Sequence, residues 1–132
     1  MYGAAGLLLR HQDDTGARWV LLQHRALWSH HGGTWGLPGG ARESTETARQ
    51  AAVREAAEEA GLDGAPVRIT AEHIVDHGTW SYTTVVADID ALFPARATGG
   101  ESVEIRWVAE DAVLLLPLHP GLAAAWPELL LR

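Results

Sequence analysis

An α/β fold, with helices packed on one mixed β-sheet, is the architecture this sequence predicts, and three observations lead to it. Strand-like and helix-like segments follow one another as strands, helix, strands, helix, an order that a mixed sheet covered by helices accommodates most simply. One stretch, residues 45–60, holds no Gly or Pro and is dense in Ala, Glu and Arg. The chain has 132 residues with no internal repeat, linker or low-complexity tract, so residues 1–132 read as a single domain. At 47% apolar and 20% charged it has the composition of a globular protein able to fold around its own core.

Each element has its own signal. Residues 2–10 and 18–24 are short apolar runs separated by the polar, turn-like HQDDTGA, which predicts two strands and a tight connection. Residues 25–40, rich in glycine, predict a loop with a short strand near Trp35. Ser44 is placed to cap the helix of residues 45–60, and Gly61 to end it. Residues 67–76 and 81–90 predict strands, residues 94–100 a loop, and residues 103–108 a further strand. The last helix is expected over residues 118–131, constrained in its start and straightness by Pro120 and Pro127.

Composition excludes several kinds of chemistry. There are no cysteines, so disulfides, thiolate nucleophiles and Cys-ligated metal centres are ruled out. A net charge of -7 is a poor match to holding a nucleic-acid backbone, so no nucleic-acid partner is expected. No stretch approaches the roughly 20 apolar residues of a membrane span, and the apolar run at residues 3–9 lacks the basic flank and cleavage site of a signal peptide. A cytoplasmic protein is the expectation.

Within the central helix, Glu55, Glu58 and Glu59 stand at i, i+3 and i+4, on one face and within one turn. Like charges so placed repel unless they are solvated or offset by a cation. An all-oxygen donor set suits Mg²⁺, which keeps several waters and completes its shell with substrate phosphates. Val53, Ala56, Ala57 and Ala60 form the small apolar side expected to pack on the sheet. On the three acids alone, a solvated helix face is the better reading.

The surrounding residues carry more information. From Gly40 the chain runs through Glu46, Arg54-Glu55, Glu58-Glu59 and Gly61-Leu62, preceded by GTWGLPGG. This resembles the signature of the Nudix hydrolases, GX5EX7REUXEEXGU with U a bulky aliphatic, and the MutT-type members in particular. Every specified position is met except the first U, where Ala56 stands on the side away from the carboxylates. The resemblance implies a Nudix-type α/β/α sandwich with a mixed β-sheet, and hydrolysis of a diphosphate link in a nucleoside diphosphate joined to another group.

Carried over residue by residue, the resemblance implies that Glu55, Glu58 and Glu59 ligate a divalent metal, Mg²⁺ with Mn²⁺ as a substitute, joined by the Gly39 carbonyl. Arg54 would orient a catalytic carboxylate, and Glu46 would support the site through water or charge balance. Arg25, after the second strand, lies where many members hold substrate phosphates; a surface arginine is the plain alternative. A further acid is expected from GGESVEIRWV. Glu101, six residues before Trp107, is preferred there, with Glu104 as the alternative. His119 lies near where MutT-type proteins read the nucleobase, although a capping or surface histidine explains it as well. Trp28, Trp80 and Tyr82 are candidates to stack a base, while His30 and His31 read as exposed loop residues.

The substrate expected is a nucleoside triphosphate, oxidised or not, split to the monophosphate and pyrophosphate. Nucleotide sugars, dinucleoside polyphosphates and a non-catalytic nucleotide-binding module are the alternatives. ADP-ribose is disfavoured because no proline occurs between Pro66 and Pro94. A homodimer is compatible with this reading.

Overall fold

The computed structural model describes residues 3–29, 31–62, 64–98 and 102–132, with only the backbone of Ser102. The strands are β1 (Gly3–Gln12), β2 (Arg18–Arg25), β3 (Trp35–Gly36), β4 (Gly39–Ala41), β5 (Arg68–Asp76), β6 (Ser81–Asp88) and β7 (Ser102–Ala109). The helices are α1 (Ala48–Ala60) and α2 (Pro120–Leu130), and a 3₁₀-helix, Glu110–Leu115, follows β7.

The sheet runs β3-β2-β1-β6-β5, with β4 paired to the start of β1 and β7 paired to β2. It is mixed as expected, because β1 and β6 are parallel while the other pairs are antiparallel. Alternation along the strands divides the core into two layers. Leu7, Leu9, Leu21, Val85 and Ile105 face α1, where Ala51, Ala52, Ala56 and Ala60 are buried. Leu8, Leu22, Val86 and Val108 face the other way, onto Val113, Leu122, Trp126 and Leu129. The result is the α/β sandwich expected.

Several boundaries differ from the sequence expectation, for local reasons. The central helix is capped by Thr47, not Ser44: the Thr47 side chain accepts from the Gln50 N–H while the Gln50 side chain accepts from the Thr47 N–H. The C-terminal end matches, with Gly61 left-handed at φ 75°. Ala51 and Ala52 line the buried side of α1, while Val53 and Ala57 are only half-buried. The last helix starts at Pro120, whose missing N–H costs nothing in the first turn, and His119 caps it. Strand β4 and the 3₁₀-helix were not anticipated. Three residues, two of them glycine, carry too little pattern to announce a strand.

Candidate active site

The acidic side of α1 meets the sheet at β4. There Ala5 pairs with Gly40 and Gly6 with Gly39. Contact requires glycine at 39, where a Cβ would lie 2.5 Å from the Ala5 carbonyl oxygen, while a Cβ on Gly40 would lie 2.6 Å from Glu55 Oε1 and displace that carboxylate. The diglycine thus lets the backbone and the helix carboxylates come together. Glu59 Oε2 accepts from the Gly39 N–H at 3.1 Å and from Gln23 Nε2 at 3.2 Å. Gln23 is fully buried in β2, and sequence reasoning missed it. Its signal was a polar side chain within the apolar run of that strand.

One guanidinium organises the remaining acids. Arg54 Nε and Nη2 donate to Glu46 at 2.7 and 2.9 Å, Nη2 also reaches the Ala41 carbonyl at 3.2 Å, and Nη1 reaches Glu55 at 3.1 Å and Glu58 at 3.4 Å. A planar fork of five N–H groups can serve several oxygens at once, which an ammonium on a flexible stem cannot do in fixed geometry. The Arg54 hydrogen bonds, helped by the Glu43 N–H, hold the Glu46 carboxyl down at about 2. The same contact with Glu46 pushes Arg54 further up, against the opposing effect of burial. Glu58 is the outermost acid, its side chain 59% exposed.

The acids therefore fall into two sets. Glu46 is neutralised by Arg54, whereas Glu55, Glu58 and Glu59 share what remains of that charge and the donors at Gly39 and Gln23. Among the described residues no three acidic or imidazole groups converge closely enough to form a closed metal cage. The donor chemistry still fits a hard divalent cation: it is all oxygen, and it lies open to one side, as suits an ion that retains water and binds substrate oxygens.

The loop before β7 is tied to the end of the same helix. The Thr98 N–H donates to the Glu59 carbonyl at 3.0 Å, its hydroxyl donates to the Glu58 carbonyl, and the Arg96 N–H donates to the Ala60 carbonyl at 3.3 Å. Beyond it, β7 begins at Ser102, the Cα partner of Arg25. Glu101 itself lies outside the described residues. Glu104 is on the other side of the sheet: it shares a face with Arg106 and Val108, and the Arg106 guanidinium binds it at 3.0 Å. It is not brought to the α1 carboxylates.

Arg25 ends β2, its backbone N–H bonded to the Thr34 carbonyl, and its Cδ passes Gly36. Close to the same glycine is His119, which caps α2 by accepting from the Gly121 N–H at 3.0 Å and meets His31 edge to face at 4.6 Å. His31 is exposed, as expected, and His30 lies outside the described residues. Trp35, buried, is stacked on His24 with Arg106 against its ring. Trp28 is exposed, and Trp80 stacks on His77 in the β5–β6 turn.

The family model for the NUDIX domain matches residues 2–129. A Mycobacterium tuberculosis protein named "Putative 8-oxo-dGTP diphosphatase 3" is 57% identical over 97% of this chain and 61% of its own length. A Bifidobacterium longum protein named "Nucleoside triphosphate pyrophosphatase/Nudix hydrolase fusion protein" is 38% identical over 98% of this chain and 28% of its own. The crystal structure of a Nudix hydrolase from M. smegmatis, RenU, superposes with a TM-score of 0.89 at 51% identity, covering 97% of this chain and 83% of that one. The chain thus spans less than two thirds of the length of both curated relatives. With the family model matched along nearly all of it, and Arg54, Glu55, Glu58 and Glu59 gathered on one helix beside the diglycine, the chain belongs to the Nudix family.

Proposed function

We propose that residues 1–132 form one Mg²⁺-dependent Nudix hydrolase unit that splits a nucleoside triphosphate, including an oxidised purine form, into the monophosphate and pyrophosphate. The observation that carries the reading is the convergence of Glu55 and Glu59 on Gly39-Gly40, with Arg54 spanning Glu46, Glu55 and Glu58. The names of the Mycobacterium tuberculosis and Bifidobacterium longum relatives support the substrate class.

In this reading Glu55, Glu58, Glu59 and the Gly39 carbonyl hold the cation, with Mn²⁺ able to replace Mg²⁺. When bound, the cation neutralises charge on the phosphoryl oxygens and favours deprotonation of the attacking water. Arg54 fixes the orientation of Glu55 and Glu58, and Glu46 fixes Arg54. Arg25 takes phosphate oxygens with its bidentate fork. Glu101 supplies the last carboxylate as proton acceptor. His119 borders the nucleobase, and its cap to Gly121 fixes its ring. The water oxygen bonds to a phosphorus of the α–β link, the bridging P–O bond breaks to release monophosphate and pyrophosphate, and the water's proton passes to Glu101.

A panel of nucleoside triphosphates, nucleotide sugars and dinucleoside polyphosphates, each incubated with Mg²⁺ and resolved by chromatography, tests this assignment. Fastest turnover of a triphosphate supports it; preference for a nucleotide sugar or a dinucleoside polyphosphate overturns it. No helix among the described residues is long and apolar enough to cross a membrane.

A further inference from the structure

We propose that the Tyr82 hydroxyl is a substrate contact, donating a hydrogen bond to a phosphoryl oxygen of the diphosphate beside Glu59, where β1 parts from β2 to pair with β4. The inference rests on the reading of the substrate as a nucleotide carrying a diphosphate link. Tyr82 lies in β6 beside Ala4 of β1, and alternation with Val86 sends its ring to the α2 side. The ring runs over Gly6: a Cβ built there would stand 2.1 Å from the hydroxyl oxygen and 3.1 Å from Cζ. Gly6 is in turn the Cα partner of Gly39, whose N–H holds Glu59. The hydroxyl and the carboxylate therefore flank the same crossing of β1 and β4.

The Pro38 carbonyl beside Gly6 accepts from the Leu7 N–H at 2.9 Å, and the Tyr82 hydroxyl makes no hydrogen bond among the described residues. The residue keeps part of its surface exposed, and its hydroxyl is not among the sealed polar atoms left without a partner. Burial, and after it the charge of Glu59, push its phenol up to about 12 against the opposing effect of Arg25. It is a neutral donor throughout the physiological range. A phosphoryl oxygen near the Gly39–Glu59 contact, in the gap between β1 and β2, would accept from this hydroxyl and from Arg25.

The test compares the wild type with Tyr82→Phe, Gly6→Ala and the double variant. Turnover is measured on dGTP and 8-oxo-dGTP with Mg²⁺, and calorimetry measures the Kd of methylenediphosphonate, a diphosphate that cannot be hydrolysed. Tyr82→Phe should leave the melting temperature nearly unchanged and lower kcat/KM by roughly 10- to 100-fold, equally for both nucleotides, since the phosphates are common to them. It should weaken methylenediphosphonate by a similar factor. Gly6→Ala should displace the ring and reproduce the loss, and add less when made in the Tyr82→Phe background. An unchanged Kd in Tyr82→Phe would overturn the proposal, and so would a loss confined to one of the two nucleotides, which would put the hydroxyl on the base. A wild type that turns over neither nucleotide yet binds methylenediphosphonate through Tyr82 would overturn the triphosphate reading and leave this contact standing.

Discussion

Arg54 grips Glu46 through two parallel hydrogen bonds, of 2.7 Å from Nε and 2.9 Å from Nη2, and the remaining arm of the same guanidinium faces Glu55 and Glu58. Glu46, before the helix, thereby sets the geometry of acids on the helix itself.

That relationship has a pH signature. Glu46 titrates at about 2 in the folded chain against 4.5 ordinarily. A depressed acid contributes stability that is complete above the unfolded value and is lost as pH falls through the folded one. The gap in melting temperature between the wild type and Glu46→Gln should therefore be constant above about pH 5.5 and close between pH 4.5 and 2. Thermal melts across this range check it; a gap that does not narrow would show that the pair contributes nothing through ionisation.

Gly40→Ala should separate activity from stability. The new Cβ would meet the carboxylate of Glu55, the mobile end of a side chain, so the collision is relieved by moving that carboxylate and not the backbone. We expect at least a 10-fold loss of kcat, consistent with misplacing a group at a reacting centre, with a melting temperature close to wild type. Unchanged kcat would mean that the position of Glu55 is immaterial.

The glutamates should divide sharply. Glu58→Gln and Glu59→Gln keep side-chain shape but remove the charge that the proposed cation site needs, and each should lose most activity while folding normally. Glu101→Gln should lower kcat by roughly 10²-fold, the scale of losing a general base. Glu104→Gln should change little, because Glu104 lies across the sheet with Arg106. Equal losses in the Glu101 and Glu104 variants would contradict this division.

Away from the site, Arg10 is buried and bound to Asp88 at 2.9 Å, with a further bond to the Arg132 carbonyl at 3.1 Å. Removing one partner leaves a charge largely cut off from water. Because Asp88 remains about a third exposed, Asp88→Asn should cost about 1–3 kcal/mol, less than a fully buried pair. Denaturant melts give the value, and kcat should stay unchanged.

The central helix, the order of elements and the signature acids were legible in the sequence because each rests on local pattern: helical spacing, apolar runs, a terminal glycine. What was not legible depends on contacts distant in sequence. The choice of Thr47 over Ser44 as cap turned on its reciprocal bonds with Gln50, and the segment between them is occupied instead by the approach of Glu46 to Arg54. Strand β4 exists because Gly39 and Gly40 fit against Ala5 and Gly6. The side of the sheet on which Glu104 falls follows from the pairing of β7 with β2, which no spacing within β7 could supply.

The most direct test of the account is the identity of the products formed from 8-oxo-dGTP. With Mg²⁺ present, 8-oxo-dGMP and pyrophosphate should form in equal amounts, and EDTA should abolish turnover. Release of 8-oxo-dGDP and inorganic phosphate, or turnover that survives EDTA, would contradict it.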